Sequence, residues 1–208
     1  MDGLLVDTEP LWFETEGEVM ARLGGGPWTK EDQEALLGGS MDNTVGYLIA
    51  RAKKAALPAV VARWMTDGML KRAAEGRVIV RSGARELLEE VAAAGVPHAL
   101  VTGSQRPFTE AVLASTGFRF PVVVTADDVT RTKPDPEPYL LASKLLSAAP
   151  ASSVALEDSP NGVASATAAG CRVIAVPSLL PIPPAPGRLV AKSLTEISLE
   201  TLRSLPSP

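Results

Sequence analysis

The chain reads as an α/β protein, a parallel sheet alternating with helices, with a block of helices spliced in near its front. From residue 78 onward, short β-branched runs alternate with amphipathic helical patterns, the arrangement that builds parallel sheets. Residues 10–75 instead carry helical patterns with no strand-like run. The expected division is therefore 1–9 plus 76–208 as the α/β core and 10–75 as the helical block.

Taken in order, Asp2-Gly3 opens the chain as a turn pair. Helices are predicted near 10–23, 42–56 and 58–74, broken by Gly24-Gly25-Gly26-Pro27 and by Gly38-Gly39. A helix over 83–94 places Leu87, Leu88 and Val91 on one face, and Gly95 stops it, as Gly117 and Gly170 stop later ones. Strands are predicted at 97–102, 121–125, 153–157 and 172–176, with helices at 105–116, 136–148 and 160–169 between them. Five prolines between Pro177 and Gly187 make that stretch a loop, after which 188–205 supplies a short strand and a helix.

Composition narrows the function. The 208 residues are 46% hydrophobic and 21% charged, with a net charge of −4 and no block of Lys or Arg, so nucleic acid and anionic lipid are not expected partners. No apolar run is long enough to span a membrane, and the acidic first residues do not resemble a secretion signal. The single cysteine, Cys171, reads as a packed apolar thiol in a chain suited to a reducing cytoplasm. His98, at the start of a strand, reads as structural. Oligomeric state is not legible.

Residues at strand ends are where parallel sheets hold chemistry. Four sets stand there: Asp2-Gly3 with Asp7-Thr8-Glu9 behind, Thr102-Gly103-Ser104, Lys133-Pro134-Asp135-Pro136, and Glu157-Asp158-Ser159. They offer carboxylates for a divalent cation, hydroxyl and amide donors for anionic oxygens, and one fixed positive charge, a set suited to phosphoryl transfer. Each also has a plain reading: a turn at Asp2-Gly3, a helix cap at Thr102, a solvated loop lysine at Lys133. Adjacent acids closing an apolar run, as Glu157-Asp158 do, repel each other unless a cation or donors attend them.

In this order the four sets resemble the motifs of the haloacid dehalogenase superfamily of phosphatases and phosphomutases, in the subgroup with a helical cap after the first strand. Met1-Asp2-Gly3-Leu4-Leu5-Val6-Asp7-Thr8-Glu9-Pro10-Leu11-Trp12 is similar to the end of the first motif, and Thr102 to the second. Lys133-Pro134-Asp135-Pro136 matches the third, and Glu157-Asp158-Ser159-Pro160-Asn161-Gly162 the fourth, with Ala168-Ala169-Gly170 following. The resemblance implies a Rossmann-like core with an α-helical cap and hydrolysis of a small phosphorylated metabolite such as a sugar phosphate, through an aspartyl-phosphate. It implies Asp2 as general acid and base, and Thr102 as a hydrogen-bond donor to the phosphoryl group, helped by the amides of Gly103 and Ser104 at a helix start. Lys133 would neutralise charge, and Asp2, Glu157 and Asp158 would hold Mg²⁺. Glu9, Trp12, the Gly38-Gly39-Ser40 turn and Arg51, Lys53 or Lys54 would face the substrate from the cap, whereas Lys53-Lys54 and Lys71-Arg72 also read as a solvated helix face. Trp28 and Trp64 read as cap core.

The family's nucleophile lies two positions before Asp2, outside these 208 residues, with the buried strand that leads into it. The expectation is a start placed about ten residues too late and a poorly stable chain, since about five buried residues forfeit on the order of 1.5–3 kcal/mol each. Asp7, five residues further on, does not replace the nucleophile. A β-phosphoglucomutase-type mutase is the alternative reaction, although Trp12 stands where that enzyme has histidine; a non-catalytic phosphate- and metal-binding remnant is the other alternative.

Overall fold

A computed structural model describes residues 1–36 and 40–205; Gly38 and Gly39 lie outside them. The chain forms two compact units, Met1–Asp7 with Ile79–Pro208, and Thr8–Val78. The division falls at 7/8 and 78/79, slightly off the predicted boundaries.

The first unit opens with β1 (Val6–Asp7). The second unit holds α1 (Glu9–Arg22), α2 (Lys30–Glu34), α3 (Met41–Ala50) and α4 (Pro58–Ala74). Val19, Met20, Leu23, Val45, Leu48, Val61 and Met65 form its core, with Trp12, Trp28 and Trp64 packed half-buried against it. Helix α2 went unseen in the sequence because five polar residues show no apolar face; a reciprocal Thr29–Asp32 cap defines it instead. α3 ends at Ala50 rather than near 56. Ser40 caps α3, accepting from the Asn43 amide at 3.2 Å.

Two cationic assignments change. Arg72 is buried, not solvated, with its guanidinium held by Glu14 at 3.3 Å, Glu18 at 2.6 Å and the Gly68 carbonyl at 3.2 Å. Arg51 does not stand free toward a ligand: it pairs with the buried Asp32 and lies over the Trp28 and Tyr47 rings. Lys53 and Lys54 are exposed.

The first unit continues with β2 (Ile79–Val80), which pairs antiparallel with β1, a ladder too short to show in the sequence. Then follow α5 (Ala84–Ala93), β3 (Ala99–Val101), α6 (Arg106–Thr116), β4 (Val122–Val124), α7 (Glu137–Leu145), β5 (Val154–Glu157), α8 (Pro160–Ala168), β6 (Arg172–Ala175), β7 (Arg188–Val190) and α9 (Leu199–Ser204). The parallel sheet expected as one piece is two: β3 pairs with β4, and β5 with β6 and then β7, all in parallel. Buried Tyr139, Ala155, Val163, Ala166, Val173 and Ala175 form a core that also holds Cys171, whose thiol burial pushes above its ordinary pKa. His98 is half-buried beside β3, with Nδ1 2.9 Å from the Val96 carbonyl and its ring edge-on to Phe120.

Candidate active site

The candidate side chains of the first unit lie at the C-terminal ends of β3 and β5, on the loop after β4 and at the first residues of the chain. β3 ends at Val101, so Thr102 is the first residue past the strand; it is buried, and its amide donates to the Val124 carbonyl at 2.9 Å. Its hydroxyl oxygen accepts the Ser104 amide at 3.1 Å. That amide is therefore turned inward, contrary to the expectation of a phosphate-facing donor. Nor do Gly103 and Ser104 stand at a helix start, because α6 begins at Arg106 with Gln105 as its cap.

Ser104 works through its side chain instead. Its hydroxyl donates to Oδ2 of Asp2 at 2.7 Å, fixing one lone pair of that carboxylate. Gly3, next to Asp2, has φ +73°, and a Cβ there would overlap the Asp158 carboxylate and press on the Ser178 hydroxyl. Glycine is thus needed for both its left-handed backbone and its missing side chain. The same contact puts the Asp2–Gly3 backbone against Asp158, whose main-chain carbonyl accepts the Ser178 amide at 3.3 Å. Burial, with the nearby charge of Glu157, pushes the Asp158 carboxyl above the usual carboxylate range.

Lys133 and Glu157 meet in an ion pair. The Lys133 ammonium also donates to the Val101 carbonyl at 3.1 Å, and its Nζ lies 5.1 Å from the centre of the Tyr139 ring. Glu157 is buried, and Tyr139 donates its phenol proton to the same carboxylate oxygen. Burial and then Glu157 push the Tyr139 phenol well above its ordinary pKa. The repulsion expected between Glu157 and Asp158 is thus met on the Glu157 side by Lys133 and Tyr139.

A metal set of Asp2, Glu157 and Asp158 does not assemble in this arrangement. Glu157 is committed elsewhere, and among the described residues no group of three His, Cys, Asp or Glu is placed to hold a metal ion. The oxygen donors that suit a hard divalent cation are the Asp158 carboxyl and the adjoining Asp2.

Three expected residues lie in the second unit. Glu9 receives the Gln33 side-chain amide at 3.2 Å on both its carbonyl and its carboxylate; Trp12 packs on the apolar core; Ser40 is the α3 cap. Tyr139 and Ser178 were missed by sequence reasoning. A tyrosine on the buried face of α7 needs a hydroxyl partner, which was a usable signal; Ser178, in a proline-rich loop, gave none.

In a parallel α/β unit, carboxylates, hydroxyls and a lysine at the strand ends stand where such sheets bind ligands. The profile of the haloacid dehalogenase-like hydrolases matches residues 1–176, and the chain belongs to that family. It is 36% identical over 178 residues to hexitol phosphatase A of Escherichia coli K12, covering 85% of this chain and 80% of that protein. It is 33% identical over 193 residues to the CbbY protein of Rhodobacter capsulatus, covering 86% and 83%. The crystal structure of Rhodobacter sphaeroides CbbY in complex with phosphate superposes with a TM-score of 0.84 at 30% identity, covering 98% of this chain and 96% of that one. A structure of an aspartate-to-asparagine mutant of that protein in complex with xylulose-(1,5)bisphosphate gives 0.83. No helix among the described residues is long and apolar enough to cross a membrane.

Proposed function

We propose that this protein hydrolyses a small phosphomonoester, with sugar phosphates as the first candidates, and that it works in the cytoplasm. The observation that carries the reading is the Ser104–Asp2 hydrogen bond at the mouth of β3, beside Thr102. A carboxyl group that a hydroxyl holds in place can, in its acid form, protonate a leaving oxygen and then, as the carboxylate, take a proton from water. Thr102 accepts from the Ser104 amide, so its own proton is left for a phosphoryl oxygen. Lys133 supplies the positive charge of the site, balanced at rest by Glu157.

In this reading an aspartate carboxylate attacks phosphorus, Asp2 gives its proton to the substrate oxygen, which leaves as an alcohol, and an aspartyl-phosphate remains. Water, giving a proton to Asp2, then cleaves that acyl phosphate to free phosphate and restores the aspartate. Asp158, with Asp2, would hold Mg²⁺, which when bound neutralises and orients the phosphoryl oxygens. Glu9, Trp12 and Ser40 are the residues proposed to select the substrate. The relatives' names support a phosphorylated sugar or hexitol as substrate.

The experiment is a phosphate-release screen over phosphorylated sugars, hexitols, nucleotides and glycerol, using the protein isolated from its natural source with its N-terminus sequenced. Release of free phosphate from one class, lowered by on the order of 10²–10⁴ in Asp2→Asn, supports the reading. An isomerised sugar phosphate without free phosphate would make the protein a mutase, and binding without turnover a phosphate-binding remnant.

A further inference from the structure

The loop between β6 and β7 carries a run that the proposed reaction does not use, Leu180-Pro181-Ile182-Pro183-Pro184. Each proline ring fixes φ at about −65°, and a following proline holds Leu180, Ile182 and Pro183 in extended backbone, so the sequence itself dictates a polyproline II stretch. The chain accordingly runs without turn or bend from 181 to 184. A polyproline II helix has three residues per turn, and burial along the run follows that period. Ile182 is buried in the core with Tyr139, Val163 and Val173, while Leu180, Pro181, Pro183 and Pro184 are exposed. The ridge is held at its far end too. The Arg188 amide donates to the Ala185 carbonyl at 3.1 Å, closing a turn through Gly187 at φ +70°, and Arg188 Nη1 donates to the Pro183 carbonyl at 3.0 Å.

The chemistry of the ridge selects its partner. Pro181, Pro183 and Pro184 offer no N–H, so no strand can pair along it. No charged residue lies between 177 and 187, which leaves nucleic acid, anionic lipid or a charged peptide nothing to hold. What the ridge presents is two apolar dipeptide faces one turn apart and backbone carbonyls, which suit aromatic rings and side-chain N–H or O–H donors. A second copy of this chain cannot supply those rings, because none of its Trp, Tyr or Phe residues is exposed. We propose that residues 180–184 dock in an aromatic-lined groove on another protein, a domain of the kind that reads polyproline II ligands. Leu180-Pro181 and Pro183-Pro184 then seat in adjacent slots about 9 Å apart, with Ile182 turned into its own fold between them. Because the fold already holds the ridge, little chain ordering opposes binding. The inference stands apart from the proposed reaction.

The test titrates the 208-residue protein against a fixed set of isolated SH3 and WW domains that covers both directions in which a polyproline II ligand can lie, following fluorescence of the groove tryptophan. Saturable binding to at least one domain is expected, with NMR shift changes in this protein confined to residues 179–188. Pro181→Ala and Pro184→Ala are each expected to weaken binding about tenfold, whereas Pro177→Ala, in the same loop but off the ridge, should leave it unchanged. A free peptide of residues 179–186 should compete with the intact protein for the same groove. A variant that melts early is replaced by the peptide carrying the same substitution, so a folding defect cannot stand in for lost binding. No binding across the set, undiminished binding by the double variant Pro181→Ala with Pro184→Ala, equal weakening by Pro177→Ala, shift changes elsewhere on the protein, or failure of the peptide to compete would each overturn the inference.

Discussion

The Ser104 hydroxyl holds Asp2 through a 2.7 Å hydrogen bond that joins residues 102 positions apart. Ser104 touches the carboxylate, so its effect on turnover runs through the orientation of Asp2. Ser104→Ala is expected to lower kcat about tenfold, the equivalent of one ordinary hydrogen bond, with KM little changed. Asp2→Asn is expected to cost on the order of 10²–10⁴ in kcat. Steady-state phosphate release checks both; a rise in KM alone for Ser104→Ala would place that hydroxyl on the substrate instead.

Glu157 is buried and its partner Lys133 is half-buried, with side-chain exposures of 6% and 13%. Removing one member leaves an uncompensated charge, so Lys133→Met is expected to destabilise by about 3–5 kcal/mol in urea unfolding. Adding Glu157→Gln to that variant should recover part of the loss, because no charge is then stranded. Tyr139→Phe should cost about 1–3 kcal/mol, the penalty of an unmet hydrogen bond to a buried acceptor.

Gly3→Ala is expected to displace the Asp158 carboxylate, since the new methyl group would overlap it and the backbone there is left-handed. Calorimetric titration with Mg²⁺ should show weaker binding for Gly3→Ala and none for Asp158→Asn. Undiminished Mg²⁺ binding by Asp158→Asn would remove Asp158 from the cation site.

Glu16 in the second unit gives a pH prediction. Burial pushes its carboxyl from 4.5 up to about 7, against the 3.0 Å hydrogen bond it receives from Trp28 Nε1. Between those values the folded chain keeps the proton that the unfolded chain has lost. Stability conferred by the neutral form is therefore full below about 4.5 and declines as the pH rises toward 7, by on the order of 1–3 kcal/mol. Glu16→Gln keeps an acceptor for Trp28 and should flatten this slope in melts followed across that range; an unchanged slope would assign it to another group.

Local rules made much of the secondary structure legible. Gly95, Gly117 and Gly170 each take a positive φ after their helices, as expected of helix stops. β-branched runs became β3 to β6 within a residue or two, because strand and helix periods are written in neighbouring residues. α2 was hidden because its signal is a cap and not a stripe, and β1 with β2 because two residues have no period.

The sequence by itself determined the α/β order, the helical insertion and the residues standing at the strand ends, since these depend on contacts close along the chain. Tertiary structure alone decided what those residues do to one another. It turned Glu157 from a cation to Lys133 and Tyr139, turned the Ser104 amide inward and its hydroxyl to Asp2, and buried Arg72 between Glu14 and Glu18. It also divided the expected sheet in two. Charge pairing and strand pairing act between groups far apart in the chain, and their outcome depends on distances and burial that no local pattern records.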